Sequence, residues 1–244
     1  MMSKDDVKLV WFIEHPSARI WSINPYKQCA MRCAYCMAHA QGSAEPWFDA
    51  ERLKKELATR LAEVPRDIEL FVGALTDAYP PEEERLGLAR IVLAELSRQN
   101  RPFCVNTKSA LVQRDVDVLG QHEGHCEVLI SLCCLDEEAV STLEPNAPSV
   151  AERFQAISAL RDAGVDVSID AAPWIPGVSD IGELLERLPA GVQVQVAPLD
   201  IRHIGREATF MGKAFTQDQI NTEYQEHRAV IGDSPRVMWK GAPS

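Results

Sequence analysis

The chain has 244 residues, 46% of them hydrophobic, and can therefore bury one substantial core without a second domain. Its formal net charge of −11 opposes binding to nucleic acid and anionic membranes unless a local basic groove exists. No apolar run approaches the roughly 18 residues that span a bilayer, and the first residues lack a secretory signal. The sequence therefore predicts a cytoplasmic protein without a membrane partner.

Short β-rich runs alternate with amphipathic helical runs from about residue 18 onward. The predicted strands are 18–24, 68–73, 103–107, 127–132, 165–171 and 192–197. The predicted helices are 51–64, 81–99, 112–119, 150–163 and 181–188. Such alternation favours parallel strand pairing with right-handed crossovers.

Six strand–helix units predict an α/β fold, a partial (β/α)6 TIM-like barrel with a C-terminal extension. A flat, doubly wound sheet is the alternative. Within this single domain, we assign residues 1–17 to an N-terminal arm and 18–199 to the barrel core. Residues 200–244 break the pattern and are expected to form a cap, a lid or a subunit contact.

Three cysteines form a C-x3-C-x2-C loop directly after the first predicted strand: Cys29, Cys33 and Cys36. Three thiolates are one short of the four that saturate a [4Fe–4S] cluster, so one iron would stay open to a small molecule. The alternative is a structural zinc site with His39 as the fourth ligand. Zinc ligands usually come as two separated pairs, which favours the cluster.

The other four cysteines lie in apolar, β-rich runs: Cys104, Cys126, Cys133 and Cys134. An odd total of seven in a predicted reducing compartment argues against a disulfide framework. Small buried hydrophobic residues are the simplest interpretation of these four.

The cysteine loop, with Tyr35 before its last cysteine, resembles the signature of radical S-adenosylmethionine (SAM) enzymes. Five further segments resemble the spore photoproduct lyase-like branch, and the resemblance covers roughly residues 20–200. They are Asn24-Pro25-Tyr26, Thr76-Asp77-Ala78-Tyr79, Thr107-Lys108-Ser109, Glu144-Pro145-Asn146-Ala147-Pro148-Ser149 and Pro173-Trp174-Ile175-Pro176-Gly177.

The resemblance implies reductive cleavage of SAM at a [4Fe–4S] cluster on Cys29, Cys33 and Cys36. The resulting 5′-deoxyadenosyl radical would abstract hydrogen from a substrate. A flavodoxin- or ferredoxin-type protein would supply the electron. Tyr35 would lie against the adenine of SAM.

The same resemblance suggests how the rest of SAM is held. Lys108 would pair with the carboxylate, and Ser131 would hydrogen-bond the same end of the molecule. Thr76 or Asp77 would take the amine or a ribose hydroxyl, with helix capping as the alternative. 

The loop that contains Trp174 and Pro176 would close over SAM. Trp174 could equally be a core or a substrate-wall residue. All these positions follow predicted strands, and parallel barrels build their active sites at the carboxyl ends of strands.

Two positions depart from the spore photoproduct lyase pattern. The family's hydrogen-donor cysteine corresponds to Leu75, and its tyrosine after the last cluster cysteine corresponds to Met37. Neither side chain has a labile hydrogen, so DNA lesion repair is not expected. A small-molecule or peptide substrate is favoured, with a nucleic-acid base or a noncatalytic iron–sulfur or zinc protein as alternatives.

Three further side chains are candidates for the reaction itself. Strand alternation would send Cys133 and Cys134 to opposite faces, so one of them could be a replacement hydrogen donor. The alternative is that both are small core residues. Asp170 places a charge near the end of the fifth predicted strand, where it could contact a substrate amine or hydroxyl.

Overall fold

The structure, a computed structural model, describes residues 11–15, 20–36, 42–201, 208–210 and 212–241. Eight strands form the main sheet in the order β1-β2-β3-β4-β5-β6-β7-β10. They are β1 Phe12–His15, β2 Ile20–Ile23, β3 Leu70–Val72, β4 Phe103–Thr107, β5 Cys126–Ser131, β6 Asp166–Trp174, β7 Gln193–Pro198 and β10 Val237–Trp239. A separate hairpin pairs β8 Ala208–Phe210 with β9 Lys213–Phe215.

Strands β2 to β7 are parallel and lie side by side in chain order. A doubly wound sheet would reverse its strand order at a switch point, and these strands do not. The singly wound order confirms the predicted six-unit partial barrel. β1 adds an antiparallel strand beside β2, and β10 adds a parallel strand beside β7.

Helices occur in all five predicted regions. The helices are α1 Ala50–Leu61, α2 Glu83–Leu86, α3 Leu88–Arg98, α4 Val116–Leu119, α5 Glu137–Leu143, α6 Val150–Asp162, α7 Ile181–Arg187 and α8 Gln217–Ile231. Two of these, α5 and α8, were not predicted. A 3-10 helix, Ala110–Asp115, precedes α4. The prediction of one helix over 112–119 is therefore wrong in helix type for its first residues, which belong to the 3-10 helix.

The helix predicted over 81–99 is in fact two helices. Gly87 separates α2 from α3 with a left-handed backbone, φ 64°. The buried carboxylate of Glu83 then accepts hydrogen bonds from the backbone N–H of Ala89 at 2.9 Å and of Arg90 at 3.3 Å. Glu83 thereby satisfies N–H groups at the start of α3 that would otherwise lack partners.

The two faces of the parallel sheet differ in polarity. Val105, Val128, Ile169 and Val194 alternate along their strands and are fully buried. Alternation puts polar residues on the opposite face, among them Asn106, Ser131, Asp170 and Gln195. This polar face leads to the carboxyl ends of the strands, where the sequence places the site.

Residues assigned to the arm and the extension contribute to the same sheet, as β1 and β10. The hydroxyl of Tyr224, on α8, lies 3.0 Å from the carbonyl of Val196 and 2.8 Å from that of Lys240. Helix α8 is thus tied to β7 and to the end of β10. Among the described helices, none has the length and apolar character needed to cross a membrane.

Candidate active site

The cysteine loop follows β2 and is partly closed to solvent. Cys33 is buried, and Cys29 and Cys36 are half-buried. The N–H of Cys36 donates to the carbonyl of Cys33 at 3.1 Å, and that of Gly42 donates to the carbonyl of Cys29 at 3.1 Å. None of the seven cysteines forms a disulfide in the described part of the chain.

Residues 143–146, which comprise the last residue of α5 and the three that follow, hold the cysteine loop in place. The carbonyl of Leu143 accepts a hydrogen bond from the N–H of Ala34 at 2.8 Å. The side-chain amide of Asn146 donates to the carbonyl of Ala30 at 2.7 Å, and its backbone N–H donates to Met31 at 3.3 Å. Three hydrogen bonds therefore connect residues more than 100 positions apart in the chain.

The three loop cysteines share a pocket of about 130 Å³, which we call the cysteine pocket. Its lining includes eight residues predicted for the cluster and SAM, together with Asn106 and Thr107. Those eight are Cys29, Cys33, Cys36, Tyr35, Thr76, Asp77, Lys108 and Ser131. The loops after β2, β3, β4 and β5 thus meet at one point.

Asp77 joins two of these loops. Its carboxylate accepts hydrogen bonds from the hydroxyl of Thr107 at 2.6 Å and from the backbone N–H of Tyr79 and Lys108, each at 2.8 Å. The hydroxyl of Thr76 donates to the carbonyl of Tyr26 at 3.0 Å. Asp77 therefore fixes the backbone that carries Lys108.

Glu144 lies at the centre of a buried charge cluster. Its side chain is 0% exposed, and it accepts hydrogen bonds from the hydroxyl of Tyr35 and from Arg153, the latter at 2.5 Å. Lys108 Nζ lies 3.8 Å from the same carboxylate. Arg153, also 0% exposed, donates to the carbonyl of Ser131 at 3.0 Å.

The charges in this cluster hold one another ionised. Burial raises the pKa of Glu144, but Lys108 and Arg153 outweigh it, and the net pKa is lowered. Burial likewise opposes the charge on Lys108, whose pKa is nevertheless raised by Glu144 and nearby thiols. Two cations against one carboxylate leave one net positive charge in this buried cluster. The carboxylate of Asp77 adds one negative charge to the wall of the cysteine pocket.

A polar chain runs from the cysteine pocket along the polar face of the sheet. The hydroxyl of Ser131 donates to Asn106 Oδ1 at 2.8 Å, and Asn106 Nδ2 lies 3.5 Å from Asp170 Oδ2. Burial raises the pKa of Asp170, against the opposing effects of Lys240, Lys108 and the Asn106 contact. Asp170 lies within β6 rather than at its end.

Cys133 and Cys134 depart from the predicted geometry. β5 ends at Ser131, so strand alternation does not apply to them, and the thiol of Cys134 donates to the carbonyl of Asp136 at 4.0 Å. Both are buried, and Cys133 Sγ lies 3.6 Å from a carboxylate oxygen of Glu144. Neither lines the cysteine pocket.

Trp174 and Pro176 lie away from the cysteine pocket. Trp174 is 3% exposed and packs against Tyr224 and His227, with ring centroids 5.7 and 5.4 Å apart. Pro176 is buried in a turn where the carbonyl of Ile175 accepts two backbone hydrogen bonds. Their placement favours the core interpretation of Trp174. His39, Met37 and His203 lie outside the described residues.

A second cavity of about 400 Å³ adjoins the cysteine pocket, and we call it the apolar cavity. Its lining consists of Tyr35, Cys36, Ala74, Leu75, Ala172, Pro173, Ala197, Pro198, Leu199 and Asp200. The first four also line the cysteine pocket. The apolar cavity therefore begins where the cysteine loop ends and extends to the carboxyl ends of β6 and β7.

Sequence reasoning did not assign roles to Asn106, Glu144 and Arg153. Asn106 offered one signal, because it is a polar residue inside an otherwise apolar strand. Glu144 belongs to a segment that resembles the family, but its partners Tyr35, Lys108 and Arg153 are distant in the chain. Only the folded structure brings these four together.

Singly wound parallel strands with a cysteine pocket at their carboxyl ends define a partial-barrel enzyme. A family comparison agrees: residues 23–188 match the Radical SAM superfamily, and the chain belongs to that superfamily. This result confirms the family, the fold and the enzyme class predicted from the sequence.

Two relatives illustrate how far the similarity extends. An uncharacterized protein of Mycobacterium tuberculosis is 28% identical over 181 residues, which are 69% of this chain and 53% of that protein. An uncharacterized protein of Methanocaldococcus jannaschii is 25% identical over 172 residues, 68% of this chain and 64% of that protein. The chain spans about half the length of its mycobacterial relative.

Solved structures share the fold at low sequence identity. A spore photoproduct lyase complexed with a dinucleoside spore photoproduct has a TM-score of 0.65 at 14% identity, covering 94% of this chain and 79% of that one. SuiB of Streptococcus suis bound to the precursor peptide SuiA has a TM-score of 0.62 at 14% identity. That match covers 90% of this chain and 48% of SuiB.

Proposed function

We propose that this radical SAM enzyme binds a [4Fe–4S] cluster through Cys29, Cys33 and Cys36 and cleaves SAM to act on a small-molecule or peptide substrate. The observation that carries the proposal is the cysteine pocket, in which the three loop cysteines share a polar wall with Lys108, Asp77 and Ser131. A flavodoxin- or ferredoxin-type protein is the proposed electron donor, as the family implies.

The residues present fit such a cluster. Thiolates are the preferred protein ligands of iron–sulfur clusters, and three of them leave one iron open. Among the described residues, no three Cys, His, Asp or Glu side chains converge on a single point as a one-ion site requires. A cubane is compatible with this, because its protein ligands bind separate iron atoms at different corners.

When bound, the cluster and SAM supply one-electron cleavage to a 5′-deoxyadenosyl radical. The protein's contribution is to bind and orient. Lys108 is proposed to pair with the carboxylate of SAM, since its side chain is a buried cation that lines the pocket. Asp77 and Glu144 are proposed to hold Lys108 in position, and Tyr35 to form a wall for the adenine.

Ser131 and Asn106 are proposed to hydrogen-bond polar groups of SAM, and Asp170 to contact a polar substrate group. Cys133 and Cys134 are less suited to donate hydrogen, because neither lines the cysteine pocket. A substrate other than DNA is supported by Leu75, which occupies the family's donor position, and by the acidic net charge. SuiB, which shares the fold, is bound to a peptide in its solved structure.

Production of 5′-deoxyadenosine tests the proposed reaction. The full chain would be reconstituted with iron and sulfide without oxygen, reduced with dithionite and incubated with SAM. The wild-type protein should release 5′-deoxyadenosine, and Cys33→Ala should not. Cys126→Ala is the matched control, since this buried thiol at the start of β5 does not line the cysteine pocket and should leave the product intact. A Cys33→Ala protein that keeps full product formation would contradict the assignment.

The role of Lys108 is tested by binding alone. Lys108→Met keeps the apolar stem and removes the cation, and it should weaken SAM binding about 10- to 100-fold, the equivalent of one charged hydrogen bond. Iron content should not change. Lys54→Met, at an exposed ion pair on α1, is the control and should bind SAM like the wild type. An unchanged dissociation constant for Lys108→Met would remove Lys108 from the site.

A further inference from the structure

The wall of the apolar cavity includes an Ala-Pro pair from each of two neighbouring strands. Ala172-Pro173 directly precedes Trp174, the last residue of β6, and β7 ends at Ala197-Pro198. The pairing of β6 with β7 shifts register between Ala171 and Trp174, which interrupts the regular ladder at this place. Each strand thus contributes one alanine and one proline to the lining.

These strand ends offer few hydrogen bonds to a ligand. Proline has no N–H, so Pro173 and Pro198 contribute no donor. The N–H of Leu199 already donates to the carbonyl of Trp174 at 3.0 Å. An anionic group placed here would lose its hydration without gaining a hydrogen-bond donor from these strand ends, which costs several kcal/mol as an order of magnitude.

The one carboxylate in the lining also bears on the charge of a ligand. Asp200 is half-buried and lines the cavity. An ionised carboxylate only accepts hydrogen bonds, so Asp200 cannot donate one to a phosphate or carboxylate of a ligand. The volume of about 400 Å³ falls in the range of pockets that enclose compact ligands.

We infer that the substrate presents a largely apolar group without negative charge to the apolar cavity, and that Ala172 and Ala197 limit its size. The inference rests on the proposed function, because the shared lining of Tyr35, Cys36, Ala74 and Leu75 makes this cavity the neighbour of the SAM site. An apolar side chain of a peptide has this chemistry. The phosphodiester backbone of a nucleic acid does not.

Binding of two small probes tests the inference without turnover. Saturation-transfer NMR on the reconstituted full chain would compare N-acetyl-leucinamide with the α-amide of N-acetyl-aspartic acid, whose side-chain carboxylate is ionised, both at millimolar concentration. The neutral probe should bind at least about tenfold more tightly, since 1.4 kcal/mol of discrimination is tenfold. Equal or stronger binding of the anion, or no binding of the leucine probe, would overturn the inference.

Cavity-filling variants locate the bound probe. Ala197→Phe and Ala172→Phe should each abolish binding of N-acetyl-leucinamide, because the added ring occupies the cavity. Ala151→Phe adds the same ring at an exposed position on α6 and should bind like the wild type. Probe binding that survives both cavity variants would place the ligand elsewhere. 

The leucine probe does not require SAM cleavage. Failure of the proposed function would instead appear as absent 5′-deoxyadenosine in the wild-type protein, so the two failures can be told apart.

Discussion

The carboxylate of Glu144 contacts side chains from three other parts of the chain: Tyr35, Lys108 and Arg153. Glu144 is the shared counter-ion of Lys108 and Arg153, and its own side chain is fully buried. Residues 143 and 146, on either side of it, hydrogen-bond the cysteine loop. One short segment therefore positions both the cluster ligands and the cation proposed to bind SAM.

Glu144→Gln should destabilise the protein strongly, because it leaves Lys108 and Arg153 as buried cations without a counter-ion. Losing one partner of a buried pair costs about 3–5 kcal/mol of unfolding free energy. Urea unfolding of the metal-free, reduced protein measures the change.

The matched control for this substitution is Glu138→Gln, an exposed position on α5. It makes the same chemical change on the surface and should leave the unfolding midpoint almost unaltered. A comparable loss of stability in both variants would show that burial of Glu144 carries no special cost.

At the scale of elements, the break between α2 and α3 sets the direction of the second helix. Gly87 can take φ 64° without penalty, and its N–H donates to the carbonyl of Glu83 at 3.0 Å. Glu83 also accepts a hydrogen bond from Arg114 at 2.7 Å, which links the break to the 3-10 helix. Glu83 thus connects the crossover between β3 and β4 with the crossover between β4 and β5.

Gly87→Ala measures the conformational cost of the left-handed backbone at this break. An added Cβ would meet nothing within 4 Å, so only the left-handed conformation opposes it. We expect a loss of about 1–2 kcal/mol in unfolding free energy. Gly241→Ala, which also has open space and lacks a positive φ, should cost much less in the same denaturation experiment. Equal effects would mean that the break is not conformationally constrained.

At the scale of the whole molecule, α8 and β10 close one edge of the barrel sheet. Trp174, Tyr224, His227 and Trp239 form an aromatic cluster between them, with ring centroids 5.4 to 6.3 Å apart. His227 Nε2 accepts a hydrogen bond from the N–H of Ile181 at 3.2 Å, so α8 is also tied to α7. This contact requires the neutral imidazole.

The cluster predicts a pH-dependent stability. Burial lowers the pKa of His227 below its usual 6.5, although Asp180 acts in the opposite direction. Since the unfolded chain then takes up the proton first as pH falls, the contribution of neutral His227 is fully present above about pH 6.5 and is lost below it. The urea midpoint of unfolding should therefore be lower at pH 5.5 than at pH 7.5.

His227→Gln keeps a hydrogen-bond acceptor that does not titrate in this range, and it should reduce the difference between the two midpoints. If the variant shows the wild-type pH dependence, another group is responsible.

Sequence periodicity was sufficient to predict the central strands and their order along the chain. Strand 103–107 was predicted with its observed bounds, because buried parallel strands are short apolar runs between helical patterns. Periodicity failed where a tertiary contact decided the outcome. The buried Glu83 and the left-handed Gly87 split one predicted helix, and β10 pairs with β7 although Val237–Trp239 has no strand period of its own.

The sequence by itself identified the candidate ligands of the site, because the spacing of Cys29, Cys33 and Cys36 and the residues after each strand are local features. The rule that parallel strands carry active sites at their carboxyl ends predicted that Lys108 and Ser131 lie near these cysteines. Only the tertiary structure decided that Glu144 is the shared counter-ion of Lys108 and Arg153, that Trp174 packs against α8, and that two Ala-Pro pairs line an apolar cavity. These are contacts between residues far apart in sequence, and their energies depend on burial, which no local pattern specifies.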